Sequence, residues 1–275
     1  MKAMVKPMAN IGLFIWARGR SFFAMIGGIF LLLCQSSYNM VKGLFIPGLR
    51  ISQEALFLQM VRVGVKAIPI VILVQIAIGM ILPLQMFPKL DEFGQSEQIA
   101  TINAIAAFRE LGPLMTAIVL CGFAGASIAA ELGTMVTTEE IEALVASALN
   151  PVRFLVIPRL LATVLMTVML TIIADVVMTG SGMFTGILLG IDGDTYFKLT
   201  TEAVDMAGFL TGLVKAAVFC LLVALIACFL GLSVKPWEGS NGVGNATTKT
   251  VVYGIVAIIG ADVIFTLIFY SYGLF

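Results

Sequence analysis

The sequence predicts an all-α integral membrane protein that has an N-terminal interfacial helix and five transmembrane helices. Hydrophobic residues make up 60% of its 275 residues, and charged residues make up only 12%. An ordinary soluble domain carries about 25% charged residues. The mean hydropathy is +1.07, which also favours a membrane protein. The formal net charge is zero, so nothing in the composition indicates nucleic acid as a partner.

A short apolar stretch near the N-terminus predicts the interfacial helix. It runs from Phe22 to Cys34, which is shorter than the roughly 20 residues that a span requires. Arg18 and Arg20 precede it, and basic residues at the headgroups are typical of a helix that lies in the interface. We therefore expect residues 8–34 to lie in or dip into the membrane surface, and a signal anchor is the less favoured alternative.

Five longer apolar runs follow, and each could cross a hydrocarbon core of roughly 30 Å. The third is long enough to kink or to end in an extra turn, and the glycines between Gly180 and Gly190 would soften that end. The runs span residues 64–87, 99–131, 154–190, 206–232 and 251–273. The chain is thus predicted to divide into an N-terminal region, 1–52, and a five-helix domain, 53–275.

The positions of Lys and Arg predict how the chain is oriented in the membrane. If the N-terminus is cytoplasmic, twelve of the sixteen Lys and Arg residues lie on that side. Only Lys89 and Lys198 lie on the opposite side, and Arg109 and Lys215 lie within runs. We therefore expect a cytoplasmic N-terminus and, after five spans, a C-terminus on the outer side. The glycine-rich segment 233–250 is expected to be a flexible cytoplasmic turn.

The loop between the second and third spans carries the pattern of a short amphipathic helix. Thr137 stands three residues ahead of Glu140, which is the spacing of a capping box, and Asn150-Pro151 would end the helix. A helix lying on lipid and a docking helix for a protein partner both fit this pattern. Its acidic first turn and its lack of Lys and Arg favour a protein partner. The predicted apolar face comprises Ile141, Leu144, Val145, Ala148 and Leu149.

Arg109 and Glu110 are adjacent charged residues inside the second apolar run. Each costs roughly a few kcal/mol in the membrane unless it is paired or faces a wet cavity. Adjacent helical residues diverge by about 100°, so each needs its own partner, and Gly112-Pro113 would leave a break or a cavity. One interpretation is structural ion pairs, such as Arg109 with Asp262 or Glu110 with Lys215. The other is that Arg109 lines a cavity and contacts an anionic group such as phosphate.

No catalytic, cofactor or metal site is expected. The sequence contains no His, which is the commonest metal ligand and general base. Its four cysteines lie in apolar segments without the spacing of metal ligands, and no nucleotide-binding motif is apparent.

Small residues recur at helical spacing in the third and fourth runs. Such faces let helix backbones approach closely in lipid. We expect most of them to pack within the chain and at least one to serve a homodimer. The residues concerned are Gly182, Gly186 and Gly190 in the third run, and Gly208, Gly212 and Ala216 in the fourth.

Longer motifs extend from the second span to the last. They are Ala107-Phe108-Arg109-Glu110-Leu111-Gly112-Pro113, Ala124-Gly125-Ala126, Ala130-Glu131-Leu132-Gly133-Thr134-Met135, Thr138-Glu139-Glu140-Ile141-Glu142-Ala143-Leu144, Asn150-Pro151-Val152-Arg153, Ile157-Pro158-Arg159, Ala246-Thr247-Thr248-Lys249-Thr250-Val251-Val252 and Asp262. In order and spacing, over about residues 60 to 270, the chain resembles the MlaE-type permeases of ABC lipid transporters.

The resemblance implies a non-catalytic inner-membrane permease that forms a homodimer. Each copy would bind a cytoplasmic ABC ATPase through a coupling helix near 137–149, and a periplasmic MCE-domain protein would cover the outer opening. A STAS-domain subunit could accompany the ATPase. The implied cargo is glycerophospholipid, moved between the two membranes of the envelope.

The resemblance also implies roles for individual residues. The expected lipid contacts are Arg109 and Glu110, with Ile78, Leu82 and Phe87 as apolar lining. The expected ATPase contacts are Thr137, Glu139, Glu140, Ile141 and Leu144, and structural ion pairs are expected at Glu131, Lys215 and Asp262.

Two features depart from the family pattern. Family members typically have Gly-Arg-x-Gly where this chain has Gly122-Phe123-Ala124-Gly125, and Asp175 matches no position of the pattern. The alternative function is an ion-coupled secondary transporter of a lipophilic or anionic substrate that uses Glu110, Asp175 and Asp262. The inverted repeats that such a transporter often contains are not apparent.

Overall fold

The structure, a computed structural model, describes residues 23–42 and 53–272, and every regular element in these two ranges is helical. The chain divides into two compact units, Met1–Arg50 and Ile51–Phe275. Within the described residues, six helices are long and apolar enough to cross a membrane. The predicted class, an all-α integral membrane protein, is confirmed.

Helix α1, Phe23–Lys42, is the described part of the first unit. Its 20 residues give a length of about 30 Å, which matches the hydrocarbon core. The predicted apolar stretch ended at Cys34, but the helix continues because Tyr38 and Val41 extend its apolar surface. By length and composition, α1 is therefore a sixth candidate span. Its interfacial placement stays a prediction, and residues 8–22 of the predicted segment lie outside the described residues.

The next long helix is bent near its start. Helices α2, Gln53–Val63, and α3, Ile68–Glu92, are joined by a single 3-10 turn at Val65–Ala67. Gly64 lies at this junction, where a Cβ atom would overlap the side chain of Met166. The missing side chain lets the bend pack closely against the helix that carries Met166.

The predicted break at Gly112-Pro113 is a π-helical turn rather than an interruption. Helices α4, Gln98–Ala106, and α5, Gly112–Leu120, are joined by a π turn at Ala107–Leu111. The Gly112 amide closes the turn by donating to the carbonyl of Ala107. Pro113, which has no N–H to donate, directly follows this turn. The helix therefore continues through the charged pair.

A second π turn, Cys121–Gly125, leads from α5 to α6, Ala126–Thr137. The predicted capping box is wrong, because Thr137 is the last residue of α6 and donates its hydroxyl to the carbonyl of Thr134 at 2.9 Å. The next helix begins instead after Glu139, which has a φ of 60° and makes no side-chain cap. A tight left-handed turn thus separates the two helices.

Helix α7, Glu140–Ala146, has about two turns and is shorter than the segment predicted to end at Asn150-Pro151. It ends before Asn150-Pro151 because Ala148 adopts a φ of 58°. The Leu149 amide then donates to the carbonyl of Leu144 at 3.0 Å, which is the hydrogen bond of a Schellman motif. α7 is a short helix with a defined turn at each end.

A π turn at Val152–Val156 leads into α8, Ile157–Leu188. α8 ends at Leu188, and Gly190 two residues later has a φ of 93°, a conformation that glycine adopts without strain. Helix α9, Gly193–Ala203, was not predicted, and its Asp192 cap accepts a hydrogen bond from the Thr195 amide at 3.0 Å.

The last two long helices are α10 and α11. α10, Met206–Leu232, has the bounds of the fourth predicted run. A 3-10 turn at Pro236–Glu238 then leads to α11, Gly239–Ser271. The predicted flexible turn at 233–250 is therefore wrong from Gly239 onward.

The glycine-rich start of α11 is helical because it is packed. A Cβ atom at Gly242 would lie 2.9 Å from Cγ1 of Val234, and Ala246 and Thr250 are buried. Packing against α6 and α10 thus outweighs the low helix propensity of glycine.

Helix α10 is the centre of the second unit, where it packs against α5, α6, α8 and α11, while α3 packs along α8. The predicted small-residue faces lie at such contacts. Gly186 is 2.6 Å, measured from an ideal Cβ, from the ring of Tyr196, and a Cβ at Gly212 would overlap the carbonyl oxygen of Phe108. α10 therefore rests directly on the π turn that carries Arg109 and Glu110.

Candidate functional site

The π turn Ala107–Leu111 directs Arg109 and Glu110 to different partners, as expected for adjacent residues. Arg109 Nη2 lies 3.2 Å from Asp205 Oδ1, and Glu110 Oε1 lies 2.7 Å from Lys215 Nζ. The pairing of Glu110 with Lys215 is the one that the sequence suggested. The suggested pairing of Arg109 with Asp262 is replaced, because Arg109 pairs with Asp205 and Asp262 pairs with Lys215.

Lys215 is the hub of a buried polar cluster between three segments. Its side chain is only 1% exposed, and its Nζ atom lies 3.1 Å from Asp262 Oδ1. The same ammonium donates to Thr266 Oγ1 at 3.0 Å, and the Thr266 hydroxyl donates to Glu110 Oε1 at 3.1 Å. One ammonium therefore holds two carboxylates and ties the π turn and α10 to α11.

Asp205 is the N-cap of α10 as well as the partner of Arg109. Its carboxylate accepts a hydrogen bond from the Gly208 amide at 3.0 Å. That hydrogen bond, followed by the Arg109 guanidinium, holds the pKa of Asp205 below its usual value, so the carboxylate is charged at neutral pH. An ideal Cβ at Gly208 would lie 2.8 Å from Arg109 Nε. The guanidinium therefore lies across the bare first turn of α10.

Tyr196 anchors the segment that leads to Asp205. The Tyr196 hydroxyl accepts a hydrogen bond from the Asn103 side-chain amide at 3.3 Å. Burial raises the pKa of Tyr196 to about 12, against the opposing effect of that hydrogen bond. α9 is thereby fixed to α4, and it ends only two residues before Asp205.

A cavity of about 410 Å³ opens beside the charged pair. It lies between α4 with the π turn Ala107–Leu111 on one side and α11 on the other. Its polar lining groups are the side chains of Arg109, Glu110, Thr266 and Tyr270, and its apolar ones are Ile105, Ala106 and Leu267. The cavity therefore combines the Arg109 guanidinium and the Glu110 carboxylate, which is paired with Lys215, with an apolar wall.

The three apolar residues predicted to line a lipid pocket do not belong to the cavity beside Arg109, and their contact with lipid stays a prediction. Ile78, Leu82 and Phe87 are half-buried on α3, which packs along α8, and none of them belongs to the lining of the cavity beside Arg109. Phe87 packs against a cluster that includes Ile99 and Tyr196. These residues support the helix packing of α3 and α4 rather than the wall of this cavity.

Glu131 lies in a second ion-pair cluster near the end of α6. Its carboxylate pairs with Arg62 of α2 and, at 3.1 Å, with Arg159 of α8. The Arg159 side chain is 5% exposed and also donates to the carbonyl of Leu155 at 2.7 Å. The cluster joins three helices six residues before α6 ends, at the base of α7.

The predicted coupling residues lie on an exposed element. No residue of α7 is buried, and Glu139 and Glu140 are exposed, while Ile141 and Leu144 are half-buried. Thr137 is half-buried at the end of α6. Val145 is 58% exposed, so α7 presents acidic and apolar side chains to its surroundings.

The two departures from the family pattern differ in environment. Phe123 is 37% exposed and lies in the second π turn. Asp175 is 1% exposed, and its Oδ1 atom has no hydrogen-bond partner among the described residues. A Cβ atom at Gly112 would overlap this carboxyl group. Asp175 thus fills the space that Gly112 leaves next to the first π turn.

Sequence reasoning missed Asp205 and Thr266, which contact the charged pair directly. Each has a signal in the sequence. Asp205 immediately precedes an apolar run, where an N-cap is expected. Thr266 stands four residues after Asp262, so the two share a helix face.

Comparison with known proteins identifies the family. The family described as Permease MlaE matches residues 56–268. A probable ABC transporter permease protein of Rickettsia typhi is 32% identical over 89% of this chain and 92% of its own length. The intermembrane phospholipid transport system permease protein MlaE of Haemophilus influenzae is 32% identical over 82% of this chain and 87% of its own length.

A chloroplast protein is also similar. The protein TRIGALACTOSYLDIACYLGLYCEROL 1 of Arabidopsis thaliana is 30% identical over 78% of this chain and 61% of its own length. The family match covers most of the described second unit, including the π turn with Arg109 and Glu110 and the whole of α7. The chain belongs to the MlaE permease family.

Proposed function

We propose that this protein is the non-catalytic permease subunit of an ABC transporter that moves glycerophospholipid between the inner membrane and a periplasmic MCE-domain partner. A separate cytoplasmic ATPase would hydrolyse ATP. The observation that carries the proposal is the cavity in which Arg109 meets an apolar wall. The Haemophilus relative's name, a phospholipid transport permease, supports the same cargo.

The chemistry of the cavity suits the headgroup region of a phospholipid. A guanidinium presents planar, forked donors that match phosphate oxygens. Ile105 and Leu267 offer apolar surface to the acyl chains, and a volume of about 410 Å³ falls within the usual range for ligand sites, about 300–1,000 Å³. We propose that Arg109 binds the phosphate, and that Glu110 holds Lys215 and α11 in place beside it.

The proposed orientation places α7 in the cytoplasm and α9 in the periplasm. If α1 does not cross the membrane, Lys and Arg favour the α7 side by twelve to two. If α1 crosses, the basic residues before it change sides and the bias falls to eight against six. The stronger bias is the one that the positive-inside rule favours, which supports an interfacial α1, a cytoplasmic N-terminus and a periplasmic C-terminus.

A homodimer is proposed from the resemblance and from the exposure of α11. Apolar residues of α11, among them Val256, Val263 and Leu267, are more than half exposed. A second copy on this side would enclose the open cavity. The MCE-domain partner would meet the α9 end of the bundle, and a STAS-domain subunit would accompany the ATPase.

The ion-coupled alternative is less well supported. Of the three carboxylates that it would use, Glu110 and Asp262 are both held by the ammonium of Lys215. A proton relay needs carboxylates that can gain and lose protons along a path. Two carboxylates that share one ammonium are better suited to a structural role.

Replacing Arg109 tests the lipid site. We expect Arg109→Ala to lower the amount of copurifying phospholipid per copy by roughly tenfold, because a charge-assisted hydrogen bond contributes about 1.5–3 kcal/mol. Lys198→Ala is the matched control, since Lys198 is exposed on α9 and lies outside the cavity. Mass spectrometry of lipids and subunits that copurify with the tagged chain measures both. Unchanged lipid in Arg109→Ala, or a wild-type protein with neither lipid nor ATPase, would contradict the proposal.

Replacing residues of α7 tests the coupling assignment. We expect the double change Glu140→Ala and Leu144→Ala to reduce ATPase recovery by about tenfold, because contacts at the centre of an interface often contribute more than 1 kcal/mol each. Glu202→Ala, an exposed acidic change on α9, is the control. Quantitative pull-down of the tagged chain gives the ratio of ATPase to permease. A ratio equal to wild type in the double variant would refute α7 as the coupling helix.

A further inference from the structure

Arg109 and Lys215 are the two cations near the cavity, and they are held in different ways. Lys215 is almost fully buried between Glu110 and Asp262. An additional anion there would meet two carboxylates for one ammonium, which is electrostatically unfavourable. Arg109 pairs with Asp205, whose side chain is 51% exposed. An incoming anion would therefore bind more favourably at Arg109 than at Lys215.

Arg109 borders the cavity and also contacts Asp205. Arg109 belongs to the cavity lining, but Asp205 does not. Asp205 remains anchored by the Gly208 amide whether or not it holds the guanidinium. The Asp205 side chain is 51% exposed, although that of Arg109 is only 17% exposed, and water that solvates the carboxylate weakens its attraction to the guanidinium. The guanidinium can thus turn from Asp205 toward the cavity without unfolding the start of α10.

We propose that Asp205 is an internal anion that competes with the phosphodiester of a bound phospholipid for Arg109, and so determines how tightly the cavity holds its lipid. This inference rests on the proposed function, because it takes the lipid phosphate as the ligand of Arg109. In the empty site, the Asp205 carboxylate takes the place of the phosphate. When lipid enters, the phosphate displaces it, and when lipid leaves, the carboxylate returns.

The N-cap role of Asp205 allows a clean test. Asn and Ser accept the same capping hydrogen bond as Asp, so Asp205→Asn and Asp205→Ser remove the charge but keep the cap. Asp205→Ala removes both the charge and the capping hydrogen bond. The difference between Asp205→Ala and the two capping variants therefore gives the contribution of the cap. Two capping variants keep the test valid if one of them folds poorly.

The probe is phosphatidylglycerol with a pyrene-labelled acyl chain, titrated against the purified full-length complex. We expect Asp205→Asn and Asp205→Ser to bind it about two- to fivefold more tightly than wild type, which is the size of effect expected from losing a competing, partly exposed ion pair. Diacylglycerol with the same label lacks the phosphate, and its binding should not change. Equal or weaker binding of phosphatidylglycerol in both capping variants would overturn the proposal.

Two further arms separate the possible failures. A phospholipid should bind more tightly than inorganic phosphate, because only the lipid also contacts the apolar wall. If inorganic phosphate displaces the labelled phosphatidylglycerol at the same concentration, the claim that the ligand is a phospholipid fails. If Arg109→Ala binds phosphatidylglycerol as wild type does, the proposed function of the cavity fails. If Arg109→Ala weakens binding and the Asp205 variants leave it unchanged, only the competition by Asp205 fails.

Discussion

Lys215→Ala is expected to destabilise the protein by about 3–5 kcal/mol, which is the usual result of removing one partner of a buried ion pair. The Lys215 side chain is 1% exposed and holds both Glu110 and Asp262. Without the ammonium, two carboxylates lie close together at membrane depth with no cation between them. The measurement is the unfolding midpoint of the detergent-solubilised protein.

A compensated variant separates charge from packing. Lys215→Met combined with Glu110→Met and Asp262→Leu roughly keeps the volume of the cluster but removes all three charges, and replacing a buried ion pair by hydrophobic residues of similar volume is often neutral or stabilising. We expect the triple variant to unfold near the wild-type midpoint. A single variant as stable as wild type would contradict the structural role of Lys215.

Gly212→Ala is expected to separate α10 from the π turn and to destabilise the protein by about 1–3 kcal/mol, the usual effect of overpacking. A Cβ atom at Gly212 would overlap the backbone carbonyl of Phe108 and lie 3.2 Å from Cγ of Pro113. Because the obstacle is backbone, no rotamer change relieves it. The Glu110–Lys215 contact should lengthen, and copurifying lipid should fall together with the unfolding midpoint.

Gly180→Ala is the matched control for the Gly212 change. Both glycines lie within long helices, but a Cβ atom at Gly180 would meet nothing within 4 Å. Alanine is the better helix former by about 1 kcal/mol, so Gly180→Ala should leave the midpoint unchanged or raise it. Equal effects of the two changes would show that the close approach of α10 to Phe108 is unimportant.

Most of the fold could be predicted because the apolar runs follow directly from the cost of exposing polar groups to lipid. The run 206–232 coincides with α10, whose ends are set by an Asp cap and by the loss of apolar residues. The run 251–273 began too late, because the glycines after Gly239 indicate a turn by propensity alone. The contacts of Val243 with Gly133 and of Thr250 with Gly125, which hold that segment against α6 and the second π turn, involve residues distant in sequence.

The coupling-helix prediction identified a helix but misplaced its start. Thr137 and Glu140 have the spacing of a capping box, yet Thr137 completes α6. A spacing rule cannot tell whether a threonine ends one helix or begins the next. The left-handed turn at Glu139 decides between them, and a glutamate gives no signal for that conformation.

The site was predicted in part. Charges inside an apolar run identify Arg109 and Glu110, and the divergence of adjacent helical residues correctly predicts separate partners. The choice of partner depends on how the helices are arranged. Asp205 lies outside the runs, and its contact with Arg109 follows from the way α10 crosses the π turn. The predicted apolar lining is on α3, and the cavity beside Arg109 adds Ile105 and Leu267 as further candidates.

Photo-crosslinking locates the lipid and tests the central claim most directly. A phospholipid with a diazirine near its glycerol would be bound to the purified complex, irradiated and mapped by mass spectrometry of peptides. We predict crosslinks at Ile105 and Leu267, which line the cavity, and their loss in Arg109→Ala but not in Lys198→Ala. Crosslinks at Ile78 and Leu82 on α3 without any at Ile105 and Leu267, or cavity crosslinks that persist in Arg109→Ala, would contradict the assignment of this cavity as the phospholipid site.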